Sequence, residues 1–230
     1  MKKLIIPALL ASMLTLAGCG ATTSDAAKLD RNLAIAELTE QMDELGYERI
    51  TAFPGIQDFL NIVVDITERQ KKVMGLYRTQ AENHADVQAF LYAQREATPE
   101  QLKAAIMEFD LGATTEAEKI GPKIDAYRGA IAEVSAANQE LFEEILIQGA
   151  QGTYLMSQYG TEIAEATAIY QAQRLMLGGG EEQTVNNNIY LAMTRAMDQI
   201  ELATQASDLI SIDQDTMLAI DALQAELEAK

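Results

Sequence analysis

A repeat of seven between residues 124 and 173 constrains the fold more than any other feature of this chain. Counting in sevens from Ile124 gives Ile131, Asn138, Ile145, Gly152, Tyr159, Ala166 and Gln173, and a second apolar row lies between them at Val134, Leu141, Leu155, Ile163, Tyr170 and Leu177. Such a repeat places one stripe of side chains along a helix that packs almost parallel or antiparallel to its neighbour. We therefore expect long helices that lie side by side.

Residues 122–177 are compatible with two arrangements. The unbroken phase favours one helix, which would be about 80 Å long at 1.5 Å per residue. Glycine is costly inside a helix, so a hairpin that turns near Gly149 to Gly152 stays open as the alternative.

Similar stripes predict helices on both sides of this segment. We expect a helix at 29–45 that ends before Gly46 and packs through Leu33, Ala36 and Leu38. The next should run from 56 to about 97, with Gln70 as the one polar residue in a stripe of Phe59, Val63, Ile66, Val73 and Tyr77. A later helix at 184–207 should pack through Ile189, Met193, Ala196, Ile200 and Ala203.

Capping residues and glycines predict where helices begin and end. Thr98, Pro99 and Gln101 form a capping box with proline at the first helical position, so a helix should start there. Thr115 with Glu118 predicts another capping box, and Gly121-Pro122 predicts a restart or a kink. Gly178 to Gly180 should break the chain, and Asp213 should cap a final helix.

Composition supports the same class of fold. Hydrophobic residues make up 48% of the chain and aromatic residues only 6%, with no Trp and four Pro. This composition is typical of long helices packed through aliphatic side chains. We therefore predict an all-α fold: an elongated, mostly antiparallel helical bundle with coiled-coil-like long helices over residues 29–230.

The first nineteen residues have the pattern of an export signal. Lys2 and Lys3 precede a thirteen-residue run from Leu4 to Leu16 that is mostly apolar, too short to span a bilayer, which needs about 20 apolar residues. The run ends in Leu16-Ala17-Gly18-Cys19, which resembles the lipobox of bacterial lipoprotein precursors. The resemblance implies that residues 1–18 are a signal peptide and that Cys19, the sole cysteine, is lipidated with palmitate or a similar acyl group.

The same resemblance implies a location. Gly20 follows the cysteine where an Asp would favour retention at the inner membrane, so we expect a lipid anchor in the outer membrane with the domain facing the periplasm. The cell surface stays open as the alternative. Residues 19–28 should form a lipidated tether.

The charge of the chain excludes one class of partner. Without Lys2 and Lys3 the mature chain has 15 basic and 35 acidic residues. So acidic a protein is repelled by polyanions, and we expect it to bind no nucleic acid.

Few residues are candidates for chemistry. His84 is the only histidine, and we interpret it as a solvated surface residue and not as a catalytic base or a metal ligand. The pair Glu140 and Glu144 shares a helix face that could contact a cation or a basic partner, although a solvated face explains it better. Asn138 either fixes helix register or is partly exposed. We expect no metal, no cofactor and no enzymatic activity.

Two functions fit these observations. The first is a non-enzymatic accessory, scaffold or assembly protein of the cell envelope, which contacts the membrane through its lipid and binds envelope proteins or further copies of itself. The alternative is a periplasmic sensor or carrier that holds a small ligand or cation between helices, with Tyr190, Met193 and Met197 as candidate ligand-binding residues. Core packing is the simpler interpretation of these methionines.

Overall fold

The computed structural model describes residues 24–175 and 183–228. The predicted signal peptide, Cys19 and the glycines at 178–180 lie outside the described residues. Within the described ranges the chain is all-α, as predicted, with no strand. The helices are α1 (Ser24–Leu45), α2 (Gln57–Asn83), α3 (Ala85–Ala93), α4 (Pro99–Leu111), α5 (Ile120–Gln158), α6 (Gly160–Leu175) and α7 (Ile189–Glu228), with a short 3-10 turn at Glu116–Glu118.

Helices α2, α5 and α7 form the centre of the bundle and pack most extensively on one another. Helices α5 and α7 are antiparallel, because Arg128 bonds Asp221 while the later Asn138 bonds the carbonyl of the earlier Ser207. Helix α2 is also antiparallel to α5, because Gln70 bonds Asn138 while the later Tyr77 meets the earlier Tyr127 at Asp213. The heptad stripe predicted for α5 is buried from Ile124 to Leu155, which confirms the interpretation of the repeat.

The segment at 122–177 does not turn at its glycines. Gly149 and Gly152 lie inside α5, and the helix is interrupted only at Tyr159, between α5 and α6. Hydrogen bonds from Tyr159 to Leu155 and from Ile163 to Tyr159, both 2.9 Å, carry the helical pattern across the interruption. The hairpin alternative is therefore wrong.

Gly152 lets α5 approach its neighbours closely. A Cβ atom at this position would lie 2.8 Å from the Met197 sulfur and 3.0 Å from the Phe59 ring. Both distances are shorter than ordinary van der Waals contact. Gly152, although unfavourable for helix formation, thus permits the close packing of α5 against α2 and α7.

The predicted helix from 56 to about 97 is two helices. Its stripe is buried as expected, including Gln70, but the helix stops at Asn83 and His84 has a non-helical backbone. A second helix, α3, begins at Ala85 and buries Val87, Phe90 and Leu91. The prediction of one helix was wrong because the apolar face continues past the break while the backbone does not.

Helix α1 packs on α3, α7 and α2. Leu38 is buried as predicted, but Leu33 and Ala36 are exposed, and Ile35 and Met42 are buried instead. The prediction placed the buried face on the wrong side of the helix. The buried stripe of Ile35, Leu38 and Met42 continues at Arg31, which is charged and not apolar. The helix ends at Leu45 before Gly46, whose φ of 72° favours glycine.

Side-chain caps mark the starts of α4 and α7 but not that of α5. Thr98 and Gln101 form the expected capping box, with Pro99 in the first turn of α4. The box predicted at Thr115 is wrong, because the Glu118 side chain accepts its hydrogen bonds from Thr114 instead, and α5 begins only at Ile120. Near the end of the chain, the Asn188 side chain accepts from the backbone NH groups of Tyr190 and Leu191 and caps α7.

Asp213 does not cap a helix. Helix α7 is continuous from Ile189 to Glu228, and Asp213 lies near its middle with no exposed surface. The two helices predicted over 184–207 and from 213 onward are therefore one.

Candidate functional site: a buried carboxylate cluster

The Asp213 carboxylate is the meeting point of five helices. Its Oδ1 accepts from Arg31 Nη1 of α1 at 2.9 Å, and its Oδ2 accepts from Arg31 Nη2 at 3.2 Å. Oδ2 also accepts from the hydroxyls of Tyr77 in α2 and Tyr127 in α5, at 2.8 and 2.6 Å, and from Gln88 Nε2 in α3 at 2.5 Å. We call these five side chains the carboxylate cluster.

The cluster is closed to solvent. Asp213 is 0% and Arg31 1% exposed, and Tyr77, Gln88 and Tyr127 are also buried. Burial raises the pKa of Asp213 above its ordinary value, against the opposing effects of the Arg31 charge and the hydrogen bonds from Tyr127, Arg31 and Gln88. Burial and the neighbouring Asp213 raise the pKa of Tyr127, so its hydroxyl stays protonated and donates.

Arg31 has two aromatic rings near its guanidinium group, but one of its hydrogen-bond donors has no partner. Its guanidinium lies 4.5 Å from the centre of the Tyr77 ring and 5.7 Å from that of Tyr92. Its Nε atom is buried and has no hydrogen-bond partner. A buried donor without a partner costs free energy, so this side chain is not fully compensated for leaving water.

A second buried polar layer lies further along the bundle. Gln70 Nε2 donates to Asn138 Oδ1 at 3.1 Å, and Asn138 Nδ2 donates to the Ser207 carbonyl at 3.2 Å. Asn138 is 2% exposed, so the interpretation of a partly exposed residue is wrong. Its bonds link α2, α5 and α7 at one level, which is the geometry expected of a residue that fixes helix register.

The surface candidates lie apart from the cluster. His84 is half-buried at the break between α2 and α3, with its ring 5.5 Å from that of Tyr127, so it is not the fully solvated residue that we predicted. Glu140 and Glu144 both pair with Arg69 of α2, and they therefore serve as an ionic contact between helices. Across residues 24–175 and 183–228, no three His, Cys, Asp or Glu side chains form a group that could hold a metal ion.

The three candidate ligand-binding residues lie along the first turns of α7 and do not share one environment. Met193 is 1% exposed and belongs to the hydrophobic core. Met197 is half-buried with its sulfur close to Gly152, and the ring of Tyr190 lies 5.9 Å from that of Tyr170 in α6. A ligand site at these residues stays a prediction. An open depression elsewhere on the surface is lined by Ala36, Thr39, Glu40, Asp43, Glu44 and Arg78.

Apolar side chains are also exposed on α5 and α6, outside the packed seam. Five of them have more than half of their surface in solvent: Leu146 57%, Ile147 63%, Tyr154 65%, Ile169 53% and Leu175 84%. We call these residues the outer apolar face. Helix α6 buries only Ile163 and packs mainly on α7.

Sequence reasoning missed the carboxylate cluster, although a signal was present. The buried stripe of α7 continues from Ala203 through Ala206, Ile210 and Asp213 to Met217 at spacings of three and four. Arg31 extends the buried stripe of Ile35, Leu38 and Met42 in the same way. A charged residue in phase with an apolar stripe, opposite a second of the other sign, indicates a buried ion pair.

Comparisons with family models, with curated proteins and with solved structures found no match to this chain. Among the helices of the described ranges, none is both long enough and apolar enough to cross a membrane.

Proposed function

We propose that this protein is a lipid-anchored, non-enzymatic accessory, scaffold or assembly protein of the cell envelope. Its anchor is an acylated Cys19 in the outer membrane, with the helical bundle facing the periplasm and the cell surface as the alternative location. Its partners are envelope proteins or further copies of itself, bound through helical surfaces.

The anchor is supported by the sequence. Leu16-Ala17-Gly18-Cys19 follows a charged and apolar leader, and the chain contains no second cysteine that could form a disulfide with Cys19. Each buried methylene of an acyl chain contributes about 0.8 kcal/mol, so two or three chains hold a protein at a bilayer almost irreversibly.

The partner-binding role is carried by the outer apolar face. Ile147 and Tyr154 are seven residues apart on α5, so they lie on the same side of the helix, and both are more than 60% exposed. Two exposed apolar side chains on one side of a helix are a candidate contact for another protein. In the carboxylate cluster, by contrast, both Asp213 oxygens already accept hydrogen bonds from the protein and the side chains are closed to solvent, which leaves little for a substrate.

Labelled palmitate tests the anchor directly. Cells that express the wild type should incorporate the label into this protein, and cells that express Cys19→Ser should not. The variant should also leave the membrane fraction. Equal labelling of the two proteins would overturn the anchor.

Site-specific crosslinking tests the partner-binding role. A photoreactive residue at Tyr154 should yield discrete crosslinked envelope proteins, whereas the same residue at Glu133, an exposed polar position of α5, should not. Binding of the identified partner to purified protein should weaken in Ile147→Asp. Identical products from both positions, or unchanged binding by the variant, would contradict the proposal, as would turnover of a defined substrate that is lost in His84→Ala.

A further inference from the structure

We infer that α1 is a separately releasable helix and that the Arg31–Asp213 pair is the contact that controls its release. The opening of α1 stands on the geometry of the cluster, whereas its role in setting the reach of the tether rests on the proposed function.

The C-terminal end of α1 is fixed to the body of the bundle. Gln199 of α7 donates to the Gly46 carbonyl at 2.9 Å, and Arg195 donates to the Glu48 carbonyl at 2.7 Å. Asn61 also bonds both backbone groups of Ile50. If α1 moves as a unit, it therefore moves about its C-terminal end, and Gly46 is the residue with the backbone freedom to allow this.

Arg31 holds the opposite half of α1, and its contact is ionic. The other buried side chains described on α1, Ile35, Leu38 and Met42, are apolar and pack on α3, α7 and α2. Two apolar residues of similar volume would bind as firmly or more firmly than a buried ion pair, because the pair must first lose its hydration. An ionic contact here therefore makes docking specific without making it permanent.

Both partners of the Arg31–Asp213 contact keep or regain hydrogen-bond partners when they separate. Once Arg31 leaves, Oδ2 of Asp213 keeps its donors from Tyr77, Gln88 and Tyr127, all of which belong to the body. Oδ1 loses its donor from Arg31 Nη1 and Oδ2 loses the one from Arg31 Nη2, while departure of α1 opens that side to water. The Arg31 Nε atom, which has no partner when docked, regains one from solvent. Both groups therefore have acceptable environments after release.

Release of α1 has a consequence for an anchored protein. The 22 residues of α1 directly follow residues 1–23, so α1 lies between the predicted anchor and the bundle. The helix is about 33 Å long, and its release would let the bundle stand tens of ångströms further from the membrane. Tension on the tether would load the Arg31 end of α1 before its Gly46 end.

Native-state hydrogen exchange tests the release. The measurement uses purified protein carrying Cys19→Ser, and it compares the amides of Ile35, Leu38 and Met42 in α1 with those of Ala206 and Ile210 in α7. We expect the α1 amides to exchange through an opening of lower free energy than the opening that exposes the α7 amides. The variant Arg31→Lys keeps the charge but loses the bidentate hydrogen bonding to Asp213. In this variant the exchange of the α1 amides should accelerate at least about tenfold, and the exchange of the α7 amides should be nearly unchanged.

Arg128→Lys is the matched control. It alters a second Arg–Asp pair with α7, in which Arg128 Nη2 donates to both carboxylate oxygens of Asp221, but both side chains are more than 40% exposed and neither lies in α1. It should leave α1 exchange at the wild-type rate. If Arg31→Lys accelerates α1 and α7 by the same factor, or if wild-type α1 exchanges only through global unfolding, the inference is wrong. Palmitate labelling reports on the anchor alone, so the two proposals can fail independently.

Discussion

At the residue scale, Asp213 shows how much a single buried charge can organise. Its carboxylate receives hydrogen bonds from four side chains on four other helices, and Arg31 is the only positive charge among them. A buried ion pair of this kind adds little to stability compared with apolar residues of the same volume, yet loss of one partner leaves the other uncompensated. The cost of substitution therefore depends on whether one partner or both are replaced.

A double-mutant cycle measures this dependence. Arg31→Met and Asp213→Leu should each lower the free energy of unfolding by about 3–5 kcal/mol, because each leaves one buried charge unpaired. The double variant should be clearly more stable than the sum of the single losses predicts. Urea unfolding of the four proteins gives the coupling; strictly additive losses would show that the pair does not act as a unit.

The pH dependence of Arg31→Met follows from the same burial. Because burial raises the pKa of folded Asp213, this group stabilises the fold at low pH and loses that contribution as pH rises through its folded pKa. Removal of Arg31 raises that pKa further, since the Arg31 charge opposes the effect of burial. The deficit of Arg31→Met relative to wild type should thus be larger at about pH 7.5 than at about pH 5. Urea midpoints across this range test it, and a deficit that grows towards acid would contradict the assignment.

At the element scale, the helices differ in what determines them. Helix α5 carries a long buried stripe and tolerates three internal glycines, Gly129, Gly149 and Gly152, because its packing against α2 and α7 outweighs the cost of glycine. Helix α4 buries only Leu102, and its start is fixed by the local Thr98 box. Packing therefore determines α5, whereas local capping determines where α4 begins.

Two glycines of α5 provide a matched test of packing. In Gly152→Ala the new methyl group would clash with the Met197 sulfur and the Phe59 ring, whereas at Gly129 nothing lies within 4 Å. Overpacking costs about 1–3 kcal/mol and the helix propensity of Ala returns about 1 kcal/mol. Gly152→Ala should therefore be destabilising or neutral, and Gly129→Ala stabilising by up to about 1 kcal/mol. Thermal unfolding of both variants decides the matter, and equal gains would refute the close approach at Gly152.

At the scale of the whole molecule, the net charge of −18 is the dominant property. Most of the ion pairs in the described ranges lie on partly exposed side chains, where each contributes little. Repulsion among the excess carboxylates is distributed over the surface and is screened by salt.

Salt should therefore stabilise the fold. The urea midpoint should rise when NaCl is increased from about 0.02 M to about 0.5 M, because screening weakens the repulsion more than it weakens the few exposed pairs. A variant with Glu133→Lys and Glu143→Lys, both exposed positions, should show a smaller rise. A midpoint that falls with salt in the wild type would mean that surface ion pairs, and not repulsion, dominate.

The sequence by itself determined the features that depend on neighbouring residues. The seven-residue period of α5, the buried stripe of α2 and the Thr98 cap of α4 each arise from positions within a few turns of one another, so a single stretch of chain contains the whole signal. The all-α class follows from the same local patterns. The lipobox at Cys19 is also a local motif, and lipidation there stays a prediction.

Only the tertiary structure decided which polar residues are buried. Asp213 looks like a cap and Asn138 like a partly exposed residue when read alone, because a polar group can be buried only where distant donors and acceptors meet it. The partner of Asp213 lies 182 positions away at Arg31, and that of Asn138 lies 68 away at Gln70. The break at His84 and the continuity of α7 likewise became visible only in the tertiary structure. Local periodicity therefore predicts the helices, and long-range packing decides how their polar side chains are used.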